Sequence, residues 1–200
     1  MPAARPPRSG PPAALVVAVA AVAGGWAAVR VAPVDDAPAM PPRAARALAA
    51  LQAPGARARV ERTVDGDTAV VAFRDGAGRG TVLVRYLGVD APESVHPSRP
   101  VGCFGPEAAR RNASWATGRL VRLRFDRERV DPYGRLLAAL VPVGTRRSLS
   151  LRLVAHGLAR TLTIPPNGAD RVVLSRAEER ARAAGRGLWR RCPDRLRSGT

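Results

Sequence analysis

From residue 57 onward, apolar and polar positions alternate in short runs, a pattern typical of β-strands. Residues 60–64 and 69–73 are two such runs. The segment between them, Asp65-Gly66-Asp67-Thr68, predicts a hairpin because Asp-Gly suits the positive φ values of a primed turn. A second turn at residues 75–78 leads into a third predicted strand over residues 81–89.

Two further strands are predicted after a helical insertion. Residues 120–125 place Arg122 and Arg124 on one face and apolar side chains on the other, which predicts a fourth strand with a basic face. The Asp131-Pro132-Tyr133-Gly134 segment has the residue order of a type I turn. It leads into a fifth predicted strand over residues 135–143.

Three helices are predicted around these strands. Residues 105–107 open the first with Pro at the start and an acid in the first turn, and Gly118 can end it. Ser150 is expected to cap a short second helix that ends at Gly157. The third spans about residues 170–184, with an apolar stripe and two packing residues after it: Leu174, Ala177, Ala181, Leu188 and Trp189. The prediction is an α+β, mainly β fold, a closed or nearly closed five-stranded barrel with three flanking helices.

The N-terminal region differs in composition from the predicted barrel. Arg5 and Arg8 precede an apolar run at residues 13–29, and Ala21-Val22-Ala23 offers the small residues that a signal peptidase needs. We expect residues 1–30 to be a signal peptide or membrane anchor, 31–56 a Pro- and Ala-rich linker that can form a short helix near 43–51, 57–193 the folded domain and 194–200 a tail. The domain would then be secreted, or anchored outside the cytoplasm with membrane contact only through residues 1–30.

The chain is strongly basic, with a net charge of +17. Residues 1–56 hold five arginines and two aspartates, or +3, so the predicted domain carries the remaining +14. Such an excess attracts polyanions. All 33 basic residues are arginine, however, which a compositional bias also explains. The charge therefore permits nucleic-acid binding without establishing it.

The chain contains two cysteines, Cys103 and Cys192. An even count in an exported chain favours a disulfide between them. Two free thiols are the alternative.

Acidic and basic residues are concentrated in three short motifs: Asp65-Gly66-Asp67-Thr68, Arg85-Tyr86-Leu87-Gly88-Val89-Asp90-Ala91-Pro92-Glu93, and Asp131-Pro132-Tyr133-Gly134-Arg135. Carboxylates can hold a hard cation, and guanidinium groups can grip a phosphate. Metal-assisted cleavage of a phosphodiester needs both kinds of group. The motifs therefore predict a nuclease.

These motifs resemble those of the staphylococcal-nuclease-like thermonucleases, and the resemblance covers about residues 57–192. It includes further short motifs in the same order: His96-Pro97, Gly105-Pro106-Glu107-Ala108, Leu153-Val154, Gly157-Leu158-Ala159 and Pro166-Asn167. The resemblance implies an OB-fold barrel that hydrolyses DNA and RNA with calcium. It further implies cleavage of the 5′-O–P bond to leave 3′-phosphates, and we expect a monomer.

The resemblance implies that Asp67 and Asp90 are direct calcium ligands and that the backbone carbonyl of Ala91 is a third. Calcium accepts six to eight oxygens, so such a site leaves room for water and a substrate oxygen. Taken alone, Asp67 also suits a plain turn, and Asp90 suits a helix cap.

The resemblance also implies catalytic roles for Glu93, Arg85 and Arg135. Glu93 would be the general base for an attacking water, and the two arginines would bind the phosphate. Alternatively, Glu93 only adds favourable charge at a helix start, and the arginines are solvated surface groups. Tyr133 either contributes near the substrate or packs beside its turn.

The chain departs from the best-known members of this family in two places. Ala91 replaces a threonine, with little expected effect because the metal would use the backbone carbonyl. Residues 161–164, Thr-Leu-Thr-Ile, lack the tyrosines that stack on the nucleotide base, so substrate binding is expected to be weaker. His96 and His156 have no metal-ligand spacing and are expected to be structural or exposed.

Two other classes of function compete with the nuclease. A binding module that kept the barrel and lost catalysis is disfavoured because the acids and arginines named above are all present. A surface interaction protein anchored by its N-terminal run would show no turnover and no metal dependence.

Overall fold

The computed structural model describes residues 40–94 and 100–192 of the chain. The predictions for residues 1–39, for His96 and for the C-terminal tail lie outside the described residues. No helix within the described part is long and apolar enough to span a bilayer.

Five strands close into a barrel, as the sequence predicted. The strands of the chain are β1 Ala58–Thr63, β2 Thr68–Asp75, β3 Gly78–Tyr86, β4 Val89–Asp90, β5 Leu120–Arg124, β6 Leu136–Pro142 and β7 Arg160–Thr161. The barrel order is β1-β2-β3-β6-β5, and β5 pairs with β1 to close it. β3 and β6 run parallel, whereas the other barrel pairs are antiparallel. β4 and β7 form a separate two-stranded sheet beside the barrel.

The described residues contain five helices: α1 Pro42–Gln52, α2 Gly105–Ala116, α3 Leu149–Ala155, α4 Arg171–Ala183 and α5 Leu188–Arg191. The three predicted helices correspond to α2, α3 and α4. α5 is a single turn that contains Leu188 and Trp189, the two residues expected to pack after the last helix.

Helix α1 lies within the segment that was predicted to be a linker, and it packs on the barrel. Its residues Ala44, Ala47 and Leu51, at helical spacing, are buried in the same core as the strands. α1 contacts β2 and β3, and β2 is buried at six consecutive positions from Thr68 to Phe73. Both faces of β2 are thus covered, because α1 lies over a face that would otherwise meet solvent.

The loop between β1 and β2 corrects one detail of the sequence prediction. Gly66 was expected to supply a positive φ, but it is not among the residues with that conformation. A Cβ atom at this position would lie 2.4 Å from the Cβ of Ala91. Glycine therefore serves here to let the loop after β4 approach the loop before β2.

Two other local predictions were wrong in detail. The third strand was expected to continue to residue 89, but β3 ends at Tyr86 and Val89 begins β4, which pairs with β7. The cap of α3 is Ser148, whose Oγ accepts a hydrogen bond from the N–H of Leu151, and not Ser150, which is buried inside the helix. The chain offers a serine at both positions, and local sequence does not distinguish them.

Candidate active site

Arg85 joins the two predicted metal-binding aspartates. Asp67 lies just before β2, and the register that pairs Thr68 with Arg85 brings it beside β3. Nη1 of Arg85 lies 2.7 Å from Oδ2 of Asp67, and its Nη2 lies 3.2 Å from Oδ1 of Asp90. Nη1 also donates to the carbonyl of Val89 at 2.9 Å. One guanidinium thus holds together two carboxylates, one from the loop before β2 and one from β4.

Asp67 is the buried member of this cluster, with only 5% of its surface exposed. Its Oδ2 also accepts the N–H of Ala91 at 2.7 Å, and its Oδ1 accepts the hydroxyl of Thr68 at 3.3 Å. Burial raises the pKa of Asp67, the Arg85 guanidinium lowers it, and the Asp65 carboxylate raises it further. Burial affects the pKa of Asp67 more strongly than Arg85 and the N–H of Ala91 do, so the pKa is raised. An additional cation nearby would favour the ionised carboxylate.

The donor set of this cluster fits a hard cation. Asp67 and Asp90 offer carboxylate oxygens, and Ala91, the predicted third ligand, already contacts Asp67 through its N–H. Within the described residues, no three His, Cys, Asp or Glu side chains are grouped as a metal site. A site with two carboxylates and backbone carbonyls is suited to calcium, which accepts such oxygens and water, and not to the nitrogen and sulfur ligands that zinc prefers.

Asp131 holds Arg135 in position. Oδ1 of Asp131 accepts the N–H groups of Tyr133 and Arg135 at 3.0 and 2.9 Å. Its Oδ2 accepts Nε of Arg135 at 2.6 Å. The guanidinium carbon lies 5.5 Å from the ring centre of Tyr133, which is 84% exposed. The turn that precedes β6 therefore fixes the arginine at both its backbone and its side chain, a role of Asp131 that the sequence analysis did not assign.

Arg85 and Arg135 line the same cavity, whose volume is about 270 Å³. One wall of the cavity is the segment after β7, including Leu162, Thr163 and Ile164. This wall contains no aromatic ring, in agreement with the departure seen in the sequence. Asp67, Asp90 and Glu93 are not among the lining residues, and the aspartates connect to the cavity through Arg85.

The wall is tied to the loop after β5 by side chains that the sequence analysis did not identify. Asp126 Oδ2 accepts the N–H groups of Gly168 and Ala169 at 2.8 and 2.9 Å. These hydrogen bonds hold the pKa of Asp126 below its ordinary value. Asn167 exchanges two hydrogen bonds with the backbone of Glu128, at 2.9 and 3.0 Å.

Glu93 lies three residues after Asp90, and its backbone is held by the segment that leads into α2. Its carbonyl accepts the N–H of Gly102 at 2.7 Å, and its Oε1 accepts the N–H of Ser94 at 2.9 Å. A Cβ atom on Gly105 would lie 2.1 Å from the Glu93 carbonyl oxygen. Cys103, between these two glycines, forms a disulfide with Cys192. The structure thus contains the predicted bridge, and the bridge anchors the segment that supports Glu93.

A buried network supports the aspartate loop from below. Asn112 of α2 is fully buried, donates to the carbonyl of Asp65 at 2.9 Å and accepts the hydroxyl of Tyr86 at 3.1 Å. Burial raises the pKa of Tyr86. The signal in the sequence was an asparagine at the spacing of Ala108 and Ala116, which marks the buried face of α2. Asn112 was not among the predicted site residues.

His156 lies away from this site. Its ring centre is 5.0 Å from that of Trp115, and its Nδ1 is 2.8 Å from the carbonyl of Arg152. These contacts agree with the structural or exposed role that was expected.

Residues 83–191 match the family model described as Staphylococcal nuclease homologue. The protein named Thermonuclease from Staphylococcus intermedius is 37% identical over 132 residues, which cover 66% of this chain and 75% of that protein. The Thermonuclease of Staphylococcus hyicus is 34% identical over 131 residues, covering 66% and 74%. Endonuclease YncB of Bacillus subtilis is 37% identical over 102 residues, covering 50% and 46%.

Proposed function

The chain belongs to the staphylococcal nuclease family and is a nuclease, and we propose that it is a calcium-dependent endonuclease that hydrolyses DNA and RNA with little sequence preference. The observation that carries the proposal is the Arg85 guanidinium, which joins Asp67 and Asp90 and lines a cavity that it shares with Arg135. The carboxylates that would hold the metal thus contact one of the two arginines that would bind the phosphate, which supports the proposal.

Arg85 and Arg135 bind the scissile phosphate in this proposal. A guanidinium presents its donors in a planar fork that matches the oxygens of a phosphate. Contacts that strengthen as charge builds on phosphorus lower the barrier to reaction. Asp131 supports this role because it fixes Arg135 through Nε and the backbone before substrate arrives.

Asp67, Asp90 and the carbonyl of Ala91 would hold the calcium ion. When bound, the ion would act as a Lewis acid on a phosphate oxygen. Glu93 accepts a proton from the water that attacks phosphorus, the bond from phosphorus to the 5′ oxygen breaks, and that oxygen takes up a proton. The products are a 5′-hydroxyl end and a 3′-phosphate end. Tyr133, exposed beside Arg135, adds a contact to the substrate.

The test is cleavage of plasmid DNA and of single-stranded DNA and RNA by the full-length protein, with calcium and with a chelator. We expect cleavage only with calcium, and products that a phosphatase must treat before a polymerase can extend them. Arg85→Ala, Glu93→Ala and Arg135→Ala should each lower turnover about 10²-fold, since one lost transition-state contact costs about 2.7 to 4 kcal/mol. Arg74→Ala, on the exposed β2–β3 hairpin, is the matched control. Equal cleavage with the chelator would refute calcium dependence.

Calcium binding has a readout that does not depend on activity. Calcium at 100 times its Kd should stabilise the protein by about 2.7 kcal/mol, which raises Tm by about 5 to 10 °C for a protein of this size. Asp67→Asn should abolish this shift. A shift that survives in the variant would place the ion elsewhere.

We also propose that the domain acts outside the cytoplasm. The apolar N-terminal run supports export, and the disulfide between Cys103 and Cys192 is a bond that persists in oxidising compartments. Fractionation of the producing cells tests this, and recovery of the protein in the cytosol with reduced cysteines would contradict it.

A further inference from the structure

A second groove lies where β5 begins and β6 ends. The cavity of Arg85 and Arg135 lies at the other end of these two strands. Its volume is about 860 Å³, and it lies between the end of α2, the start of β5 and the loop from β6 to α3. Among the described residues, those that line it include no aspartate or glutamate. Five are arginines: Arg59, Arg119, Arg146, Arg147 and Arg152. We call this the arginine groove.

An exposed arginine alone is weak evidence in this chain, because all 33 basic residues are arginine. The groove differs in that no acidic residue is among the described residues that line it. Elsewhere in the described part, arginines such as Arg46, Arg85 and Arg135 pair with aspartates. None of the ion pairs within the described residues involves an arginine of the groove. Its positive charge is therefore not neutralised by those residues.

Two of the arginines are held in place by uncharged partners. Nη1 of Arg59 donates to the carbonyl of Gly118 at 2.7 Å. The guanidinium of Arg152 lies 4.1 Å from the ring centre of Trp115, at a cation–π distance. Such contacts orient a guanidinium without cancelling its charge. A pre-oriented guanidinium loses less entropy when it binds a phosphate.

Strands β5 and β6 connect the groove to the candidate active site. β6 begins directly after Arg135, which lines the active-site cavity, and ends at Pro142, which lines the groove. At about 3.3 Å per residue, seven residues separate the two by roughly 20 Å. On the neighbouring strand β5, Arg124, which pairs with Asp170, lines the cavity, and the exposed Arg122 donates to the carbonyl of Thr145 in the groove at 3.4 Å.

We propose that the arginine groove is a second phosphate-binding surface, which holds the backbone of a long nucleic acid while another part of the same strand lies in the active-site cavity. Identification of the polyanion as nucleic acid rests on the proposed function. One strand of a duplex carries a phosphate about every 3.4 Å, so roughly six nucleotides bridge the 20 Å. Shorter substrates cannot occupy both places. A concave groove also suits a strand better than it suits a flat anionic membrane.

The test reverses two charges on the β6–α3 loop of the full-length protein, R146E/R147E. Both side chains are exposed and outside the candidate catalytic machinery. The matched control is R74E/R79E, which makes the same charge change at two residues paired across the β2–β3 hairpin that line neither site. Equilibrium binding of a 30-nucleotide single strand is measured in chelator over a range of salt. KM is measured in calcium for the 30-mer and for a trinucleotide.

Loss of two phosphate contacts should reduce the slope of log K against log salt by about 1.4 for a single strand. The counterion contribution vanishes near 1 M salt, and 0.1 M is one decade below that. A slope change of about 1.4 therefore lowers the affinity for the 30-mer about 25-fold at 0.1 M salt. KM for the 30-mer should rise in parallel, while kcat and the trinucleotide KM stay within about twofold, since the short substrate cannot reach the groove. R119E, just before β5 on the other side of the groove, should also weaken binding of the 30-mer, with a slope change of about 0.7. This single variant provides the test if R146E/R147E does not fold.

An unchanged salt slope in R146E/R147E would overturn the proposal. So would an equal loss for the 30-mer and the trinucleotide, or an equal loss in R74E/R79E, because either result would reflect net charge alone. Loss of binding to anionic lipid vesicles with unchanged 30-mer affinity would also overturn it. If the protein cleaves neither substrate, the proposed function fails, yet the binding measurement in chelator still decides whether the groove holds a strand.

Discussion

Gly105→Ala tests whether the start of α2 positions Glu93 for catalysis. The added Cβ would lie 2.1 Å from the carbonyl oxygen of Glu93 and 3.0 Å from that of Pro92. Both neighbours are backbone atoms, so no side chain can rotate away. α2 is fixed by its buried residues Ala108 and Asn112, so we expect the loop that contains Glu93 to move.

The size of the effect follows from the geometry. An ordinary contact between carbon and oxygen needs about 1 Å more room than is present, and a misplacement of about 1 Å in an active site can cost 10²-fold in rate. We therefore expect kcat to fall about 10²-fold. KM should change little because Arg85 and Arg135 lie on other elements. Overpacking should cost about 1 to 3 kcal/mol of stability.

The assay is single-turnover cleavage combined with urea unfolding. Gly76→Ala is the control, since a Cβ there meets no atom within 4 Å and Gly76 has no positive φ. Gly105→Ala should add little to the loss already caused by Glu93→Gln, because both changes act on one group. Additive losses would mean that Gly105 acts through something other than Glu93. A near-normal kcat in folded Gly105→Ala protein would refute the reasoning.

Three further predictions concern what holds the site together. Replacing Cys103 and Cys192 with serine should destabilise the protein by about 4 to 5 kcal/mol in the chain-entropy model for an 89-residue separation, measured by urea unfolding, and an unchanged midpoint would contradict it. Asn112→Ala should cost about 1 to 3 kcal/mol, measured by urea unfolding, for each buried partner left without a hydrogen bond, and Asn112→Asp should cost more because it buries a carboxylate against the carbonyl oxygen of Asp65. Because hydrogen bonds lower the pKa of Asp126, its stabilising contribution is present above the unfolded-state pKa and is lost as pH falls through the folded-state pKa. Asp126→Ala should remove this loss of stability at low pH. It should also speed hydrogen exchange of the N–H groups of Gly168 and Ala169, which donate to Asp126. Exchange rates equal to those of the parent protein would refute that role.

Local signals in the sequence predicted the barrel strands well. Alternation and turn residues act over a few positions, and they located all five strands within a few residues. The contact between Asp67 and Arg85 also follows from such signals, because a hairpin pairs the start of β2 with the end of β3. The resemblance to a known family added the roles of these residues, which alternation alone does not give.

Contacts between distant segments could not be read from the sequence. α1 has a Pro- and Ala-rich composition like that of a linker, and only the barrel surface it covers makes Ala44, Ala47 and Leu51 core residues. The Asn112 network likewise depends on α2 lying under the loop before β2. Gly105 is a helix-start glycine by its local sequence, and its steric role appears only because Glu93 packs against it.

The aliphatic wall of the cavity connects the catalytic site to the salt dependence expected of the protein. A base stacked on an aromatic ring gains about 1 to 3 kcal/mol, and Leu162 and Ile164 offer no such ring. Phosphate contacts must then supply a larger share of the binding free energy, and these weaken steeply as salt rises. In the two proposals above, arginines at the cavity, along β5 and in the arginine groove would provide such contacts over roughly 20 Å. The absence of aromatic rings from this wall and the proposed phosphate contacts of the arginine groove thus fit one physical account, in which the protein would hold its substrate mainly by the backbone.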